Sequence, residues 1–350
     1  MAKSVKRRYS QDARDLRRSF KVPIAETLQE IDSNSWLVGP LILRRSIGRS
    51  NTATWYDEVD NSSYTLTDAP NPPPESTSIE QHILPASFRF QEPKPLVRKV
   101  YNAGYSIATW AIGNKAFCTA KIRYPWEEVE TTDDVTLKWI RGKKFNCSAP
   151  ELLHFTEQDH RRISFYTRIP GVPLDDIWFD LSAEMKQYYA KAVADIIKSM
   201  AEWKSNKISG VDGRNLNVLY LGVDGETSHE DHEKQLAKYG IDCPSLHFTN
   251  LNFGPQWVIV QDKQIGLVDW DSCGYLPKEW IGTSFSILAE TELLGHKDRS
   301  GYSFKDLMEY KAMVLQNLVS DGYHTRAAEL WVADEKERSQ LRQEAKDKSP

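Results

Sequence analysis

Residues 182–203 carry the pattern that most limits what this chain can fold into. Apolar side chains recur there at Met185, Tyr188, Tyr189, Ala192, Val193, Ile196, Ile197, Met200 and Trp203. Spacings of three and four, sustained over about five turns, describe an amphipathic helix, with Ser182 placed to cap it. The chain ahead of this segment has a different period. Residues 97–105, 107–112 and 116–123 read as strands, and Gly113-Asn114 between the last two is a hairpin-type turn. A further strand pair is expected around 152–154 and 163–168. Strands gathered before helices mark an α+β fold with the two kinds of element segregated.

The flanking segments bound the organisation. Residues 1–22 hold eight Lys or Arg against Asp12 and Asp15, a pattern usual for a solvated end that also suits an anionic partner. Short strands are expected within 36–45, 52–56 and 64–67. Asp68-Ala69-Pro70-Asn71-Pro72-Pro73-Pro74 opens a segment rich in Pro and small polar residues, read as a linker or exposed loop. The domains expected are therefore an N-terminal extension (1–95), a sheet lobe (96–172), a helical lobe (173–333) and a charged tail (334–350). At 350 residues the chain is long enough for this.

Composition excludes several functions. A net charge of −4 argues against bulk nucleic-acid binding. The longest apolar run, residues 36–43, is broken by Gly39 and Pro40 and is far short of a membrane span. The basic start has no apolar stretch behind it, so it does not read as a secretory signal. Asn61-Ser62-Ser63 and Asn146-Cys147-Ser148 are then idle matches to the glycosylation pattern. Four Cys in no CxxC pair fit a reducing compartment, and a cytoplasmic protein is expected. The run Ser228-His229-Glu230-Asp231-His232-Glu233 has no third convergent ligand. It reads as a solvated loop or helix end, not as zinc.

The remaining motifs carry chemistry. Lys121 lies on Ala116-Phe117-Cys118-Thr119-Ala120-Lys121-Ile122, a run otherwise without charge. Thr131-Thr132-Asp133-Asp134 opens a helix with a Thr cap and two first-turn carboxylates. Either carboxylate could pair with Lys121. Residues 257–260 and 264–269 read as a hairpin ending in Asp269, with Asp271 two residues on. Magnesium prefers such carboxylate oxygens.

Three stretches together give a resemblance. They are Gly266-Leu267-Val268-Asp269-Trp270-Asp271-Ser272-Cys273-Gly274-Tyr275-Leu276-Pro277-Lys278-Glu279-Trp280, then Arg168-Ile169-Pro170-Gly171-Val172-Pro173-Leu174, then Trp110-Ala111-Ile112-Gly113-Asn114-Lys115. Taken in their order along the chain, they resemble the aminoglycoside-phosphotransferase/choline-kinase superfamily, specifically its large fungal branch, over residues 97–290. The resemblance implies a two-lobed protein-kinase-like fold, with a small antiparallel-sheet N-lobe and a mainly helical C-lobe. It also implies ATP and Mg²⁺ as cofactors and a small-molecule substrate. Lys121 would bind phosphate with Asp133 or Asp134 behind it, and Gly104 would begin the cover over the nucleotide. Asp269 would bind the metal, with Asp271 as a second candidate.

The family's catalytic loop, H-x-D-L-x-x-x-N, is replaced. Here the loop is Asn250-Leu251-Asn252-Phe253-Gly254-Pro255-Gln256-Trp257, in the register fixed by Gly254-Pro255. Asn250 stands at the His position, Asn252 at the Asp position and Trp257 at the metal-binding Asn. An amide takes up no proton at neutral pH, and an indole offers no oxygen ligand. Two readings stay open. One is a degenerate pseudokinase that binds nucleotide, a small molecule or a protein partner. The other is an active phosphotransferase on a hydroxyl- or amine-bearing metabolite, which the resemblance as a whole implies. A weaker third is an adaptor for anionic surfaces built on the basic start.

Overall fold

A computed structural model describes residues 23–79, 96–103, 106–124, 129–216, 218, 221, 228–287 and 303–347. The chain divides into two compact units, Met1–Glu128 with Pro150–Ile169, and Val129–Ala149 with Pro170–Pro350. The fold is α+β. The first unit is antiparallel sheet and the second is mainly helical.

The first unit contains two sheets. Strands β1 (Leu28–Asp32), β2 (Ser35–Val38), β3 (Leu41–Ile47), β4 (Trp55–Asp57), β5 (Ser62–Asp68) and β6 (Thr77–Ser78) form one, in the order β4-β5-β3-β2-β1-β6. Strands β7 (Val97–Ala103), β8 (Ile107–Ile112), β9 (Ala116–Ile122), β10 (Leu152–Gln158) and β11 (Arg161–Thr167) form the other, in the order β10-β11-β9-β8-β7. Alternate residues of each turn inward, as the two-residue period of a strand requires. Trp36, Val38, Leu41 and Leu43 from the first sheet share one core with Trp110, Ile112, Ile163 and Phe165 from the second. Across the β8–β9 register Trp110 lies opposite the smaller Cys118, and Ala108 lies opposite Ala120. Trp55 stacks on Tyr64 at 5.0 Å and meets Phe165 of the other sheet at 6.1 Å.

Residues 24–78 thus complete the core of the sheet lobe. The sequence boundary near residue 95 lies inside this unit, and β6 extends the sheet beyond the Pro-rich run. A polar contact also joins the two sheets. Asp57 is fully buried; its Oδ2 accepts from the Asn114 backbone N–H at 2.6 Å and its Oδ1 from the Val59 N–H at 3.0 Å. Gly113 fits this contact because it has φ +54° and no side chain; a Cβ there would fall 2.6 Å from Asp57 Oδ2.

In the second unit, helix α1 (Asp133–Ile140) follows β9 in the chain, and helices α2 (Ala183–Met200), α3 (His229–Lys238), α4 (Lys278–Ile287), α5 (Phe304–Gln316) and α6 (Ala328–Asp347) follow the sheet lobe. The helix expected from periodicity is α2; Ser182 Oγ accepts from the Met185 N–H at 3.3 Å. Two small sheets accompany the helices. One is β12 (Val172–Pro173), β15 (Val258–Gln261) and β16 (Gln264–Leu267), in the order β12-β15-β16. The other is β13 (Lys204–Ser205), β14 (Leu246–Asn250) and β17 (Cys273–Leu276), in the order β13-β14-β17. The unit's second segment begins at Pro170-Gly171, where Gly171 has φ +120°; a Cβ there would clash with the Val260 carbonyl oxygen. Strand β12 pairs with β15 directly after it. The charged tail continues α6 to Asp347, and Tyr239 donates its hydroxyl to Asp334 at 2.6 Å.

Loss of the Asp57 carboxylate leaves the β8–β9 turn without its acceptor. Asp57→Ala is expected to lower unfolding free energy by roughly 2–4 kcal/mol, since bonds to a buried charge are the strong ones. Urea unfolding checks this. A change below about 0.5 kcal/mol, the range of an ordinary surface substitution, would mean that the first sheet contributes little through this contact.

Candidate functional site

The residues of the replaced loop come together at the end of β14. Asn250 is the last residue of that strand and is fully buried. Its Oδ1 accepts from the Asn252 backbone N–H at 2.8 Å, closing a tight turn. Its Nδ2 donates to the Asp269 carbonyl at 3.1 Å. Asn252 makes two further bonds to the same residue. Its Nδ2 lies 2.9 Å from Asp269 Oδ2 and 3.3 Å from Asp269 O. Two side-chain amides therefore hold one aspartate by backbone and carboxylate.

Asp269 needs such support. Its φ is +62°, in the left-handed region that costs a non-glycine residue about 1 kcal/mol. Asp tolerates this better than most residues, and the turn points its carbonyl at the Asn250 and Asn252 amides. The flanking residues are fixed too. The Val268 N–H donates to the Trp257 carbonyl at 3.0 Å, so the loop and the hairpin end are bound side by side. Trp270 is buried and donates its indole N–H to Leu267 O at 2.9 Å. The Tyr310 hydroxyl on α5 donates to Phe253 O at 2.7 Å, anchoring the loop from the helical side.

Gly254 and Pro255 lead the loop into a short turn. Pro255 starts a one-turn 3₁₀ helix, Pro255–Trp257, where a missing N–H costs nothing. Trp257 follows as its last residue, half-buried. His247, three residues before Asn250, is structural. Its Nδ1 lies 2.8 Å from Ala201 O and its Nε2 3.2 Å from Ser245 Oγ.

Acidic residues surround the base of the site. The Cys273 thiol is fully buried and is pushed well above its ordinary range, first by burial and then by Asp269, Asp271 and Asp133. Asp133 of α1 thus belongs to the same electrostatic neighbourhood as Asp269 and Asp271. Asp134 is held locally, accepting from Thr132 Oγ1 at 2.5 Å and from Lys138 Nζ at 3.0 Å. The expected Thr cap on α1 is absent in its usual form: the Thr132 hydroxyl goes to Asp134 instead of a backbone N–H. Among the described residues, no group of three or more His, Cys, Asp or Glu side chains is arranged to hold a metal ion.

Lys121 belongs to the first unit. It lies on β9, the third strand of its sheet in chain order, opposite Ile107 and Arg162. Ala116, Cys118, Ala120 and Ile122 face the core, so Lys121 is on the other face with Thr119. Gly104 lies outside the described residues, as does the basic stretch 1–22.

The His229–His232 pair is not a solvated end. Ser228 caps α3, and His229 Nδ1 accepts from the Ile208 N–H at 3.0 Å. His232 is fully buried and its pKa is lowered to about 4, chiefly by burial. The turn from helix cap to core is what the polar sequence hid.

The comparisons with known proteins can now be set beside this geometry. No protein-family model matches the chain, and no curated protein does. Solved structures do match. Its likeness is to aminoglycoside phosphotransferases. One match is the streptomycin–ATP ternary complex of APH(2'')-IIa, at 12% identity and TM-score 0.46, covering 69% of this chain and 83% of that one. A second is ADP-bound APH(2'')-Ib, at 14% identity and TM-score 0.42, covering 70% and 81%. A third is APH(3'')-Id from Streptomyces rimosus, at 13% identity and TM-score 0.39, covering 63% and 92%. Values this low transfer neither a substrate nor a residue's role.

Two outcomes follow from the geometry. Asn250→Ala removes both bonds of a fully buried amide and leaves the Asp269 turn under-supported. It should cost about 1–3 kcal/mol in denaturant unfolding. His232 gives a pH dependence. Its folded pKa, about 4, lies below the ordinary 6.5, so the unfolded chain binds the proton more readily. Stability is then full above pH 6.5 and is lost as pH falls toward 4, by roughly 3 kcal/mol at most. Thermal melts of the protein and of His232→Leu across that window check this. The variant should lose much less stability on the acid side.

Proposed function

We propose that this chain is a degenerate kinase-fold protein that binds a nucleotide or another small molecule and transfers phosphoryl groups inefficiently or not at all. One observation carries the reading. The residue at the proton-accepting position, Asn252, is an amide that spends its N–H on the Asp269 carboxylate at 2.9 Å. A general base must accept the acceptor's proton, and an amide does not. Positioning and charge neutralisation supply much of phosphoryl-transfer catalysis, so the base alone does not decide the rate. The bulk of Trp257 beside the hairpin adds to the case, because indole contributes no oxygen ligand.

Lys121, Asp133, Asp269 and Asp271 are the residues we assign to ligand binding. Lys121 suits phosphate, while Asp269 suits a polar hydrogen-bond donor. The second reading, an active phosphotransferase on a small hydroxyl- or amine-bearing metabolite, is favoured by the retention of both Lys121 and Asp269. The described residues include no helix long and apolar enough to cross a membrane.

Calorimetric titration with ATP, with and without Mg²⁺, tests the proposal alongside a phosphoryl-transfer assay. Binding is expected, with Lys121→Ala weakening it about tenfold, which corresponds to 1.4 kcal/mol. Transfer is expected at background, and Asn252→Asp should not raise it because Trp257 remains. Robust transfer by the unmodified protein would establish the second reading. No binding of ATP or of a broad metabolite panel would remove the first.

A further inference from the structure

We infer that the Asn252 side-chain amide occupies a place on Asp269 Oδ2 that a divalent cation would fill, so that ligand binding at this site needs no such cation. The inference rests on reading residues 250–271 as part of the ligand site, and it concerns what that site requires.

The geometry is specific. Asp269 Oδ2 receives Asn252 Nδ2 at 2.9 Å, a normal donor distance to a carboxylate. A metal on that lone pair of the oxygen would compete with the N–H. The amide cannot retreat easily. The Asn252 backbone N–H is held by Asn250 Oδ1 at 2.8 Å, and the same Nδ2 also reaches Asp269 O. Asn250 is itself buried and bonded to Asp269 O. The lock is thus built from three residues.

The donor set agrees. Magnesium needs several oxygen ligands in near-octahedral order, usually including one or two carboxylates. Trp257, the residue in line for a second ligand, has no oxygen on its side chain. The residues present therefore do not fit the cation that the resemblance implies.

A charge argument gives the converse. With Asp at position 252, two carboxylates would stand where one amide–carboxylate bond now stands. Like charges so close cannot both ionise without a proton or a cation between them. Asn252→Asp should therefore create a need for a cation where the present chain has none.

The test uses metals alone, without nucleotide. The full chain is titrated with MgCl₂ and with MnCl₂, following melting temperature and paramagnetic quenching of tryptophan fluorescence, since Trp257 and Trp270 flank Asp269. The unmodified protein should show no melting shift and no quenching that Asp269→Asn removes. Asn252→Asp should melt lower in EDTA and rise by about 3 °C or more with either metal, and the rise should vanish in Asn252→Asp with Asp269→Asn. Asp269-dependent metal binding by the unmodified protein would overturn the inference. A folded Asn252→Asp indifferent to metal would overturn it as well. If Asn252→Asp does not fold under any condition, the unmodified protein decides alone. Failure of ATP to bind would count against the proposed function and leave these outcomes standing.

Discussion

The candidate site depends on one hydrogen bond, from the Asn252 amide to the Asp269 carboxylate. Asp269 sits in a backbone conformation that most residues avoid and that Asp tolerates better than most. The neighbouring strand end stabilises it. Asn250 and Asn252 make three hydrogen bonds to one residue, and their own backbone is closed by an internal bond. The Tyr310 and Trp257 contacts then hold loop and hairpin together. Removing the charge of Asp269 or the donor of Asn252 would loosen the same knot.

The sheet lobe is organised by a second dependency. The five strands that carry Lys121 do not form a core alone, because one face rests on Trp36, Val38, Leu41 and Leu43 from residues ahead of them. The buried Asp57 adds a directional bond to that apolar contact. The strand bearing Lys121 is therefore held by the residues that precede the kinase-like stretch. Changes in residues 24–68 would reach Lys121 through packing.

Much of this was legible in the sequence, and the reasons are physical. Period-two alternation placed β8, β9 and β11, and the three-and-four spacing placed α2 with its Ser182 cap. What was not legible came from long-range pairing. No local signal says that residues 24–78 share a core with residues 97–167, and the Pro-rich run suggested the opposite. The left-handed φ of Asp269 and the bonds made by Asn252 join segments 17 residues apart, so they emerge only in three dimensions. His232 looked solvated because its neighbours are charged, yet the helix turns it into the core.

The central claim is that the Asn252 amide is hydrogen-bonded to the Asp269 carboxylate with no cation between them. Side-chain amide NMR tests it most directly. In ¹⁵N-labelled protein, one Asn252 Nδ2 proton should appear shifted downfield by the charged acceptor. It should stay in place on adding Mg²⁺ and move upfield in Asp269→Asn. An Asn252 resonance at the ordinary position, or one displaced by Mg²⁺ alone, would contradict the claim.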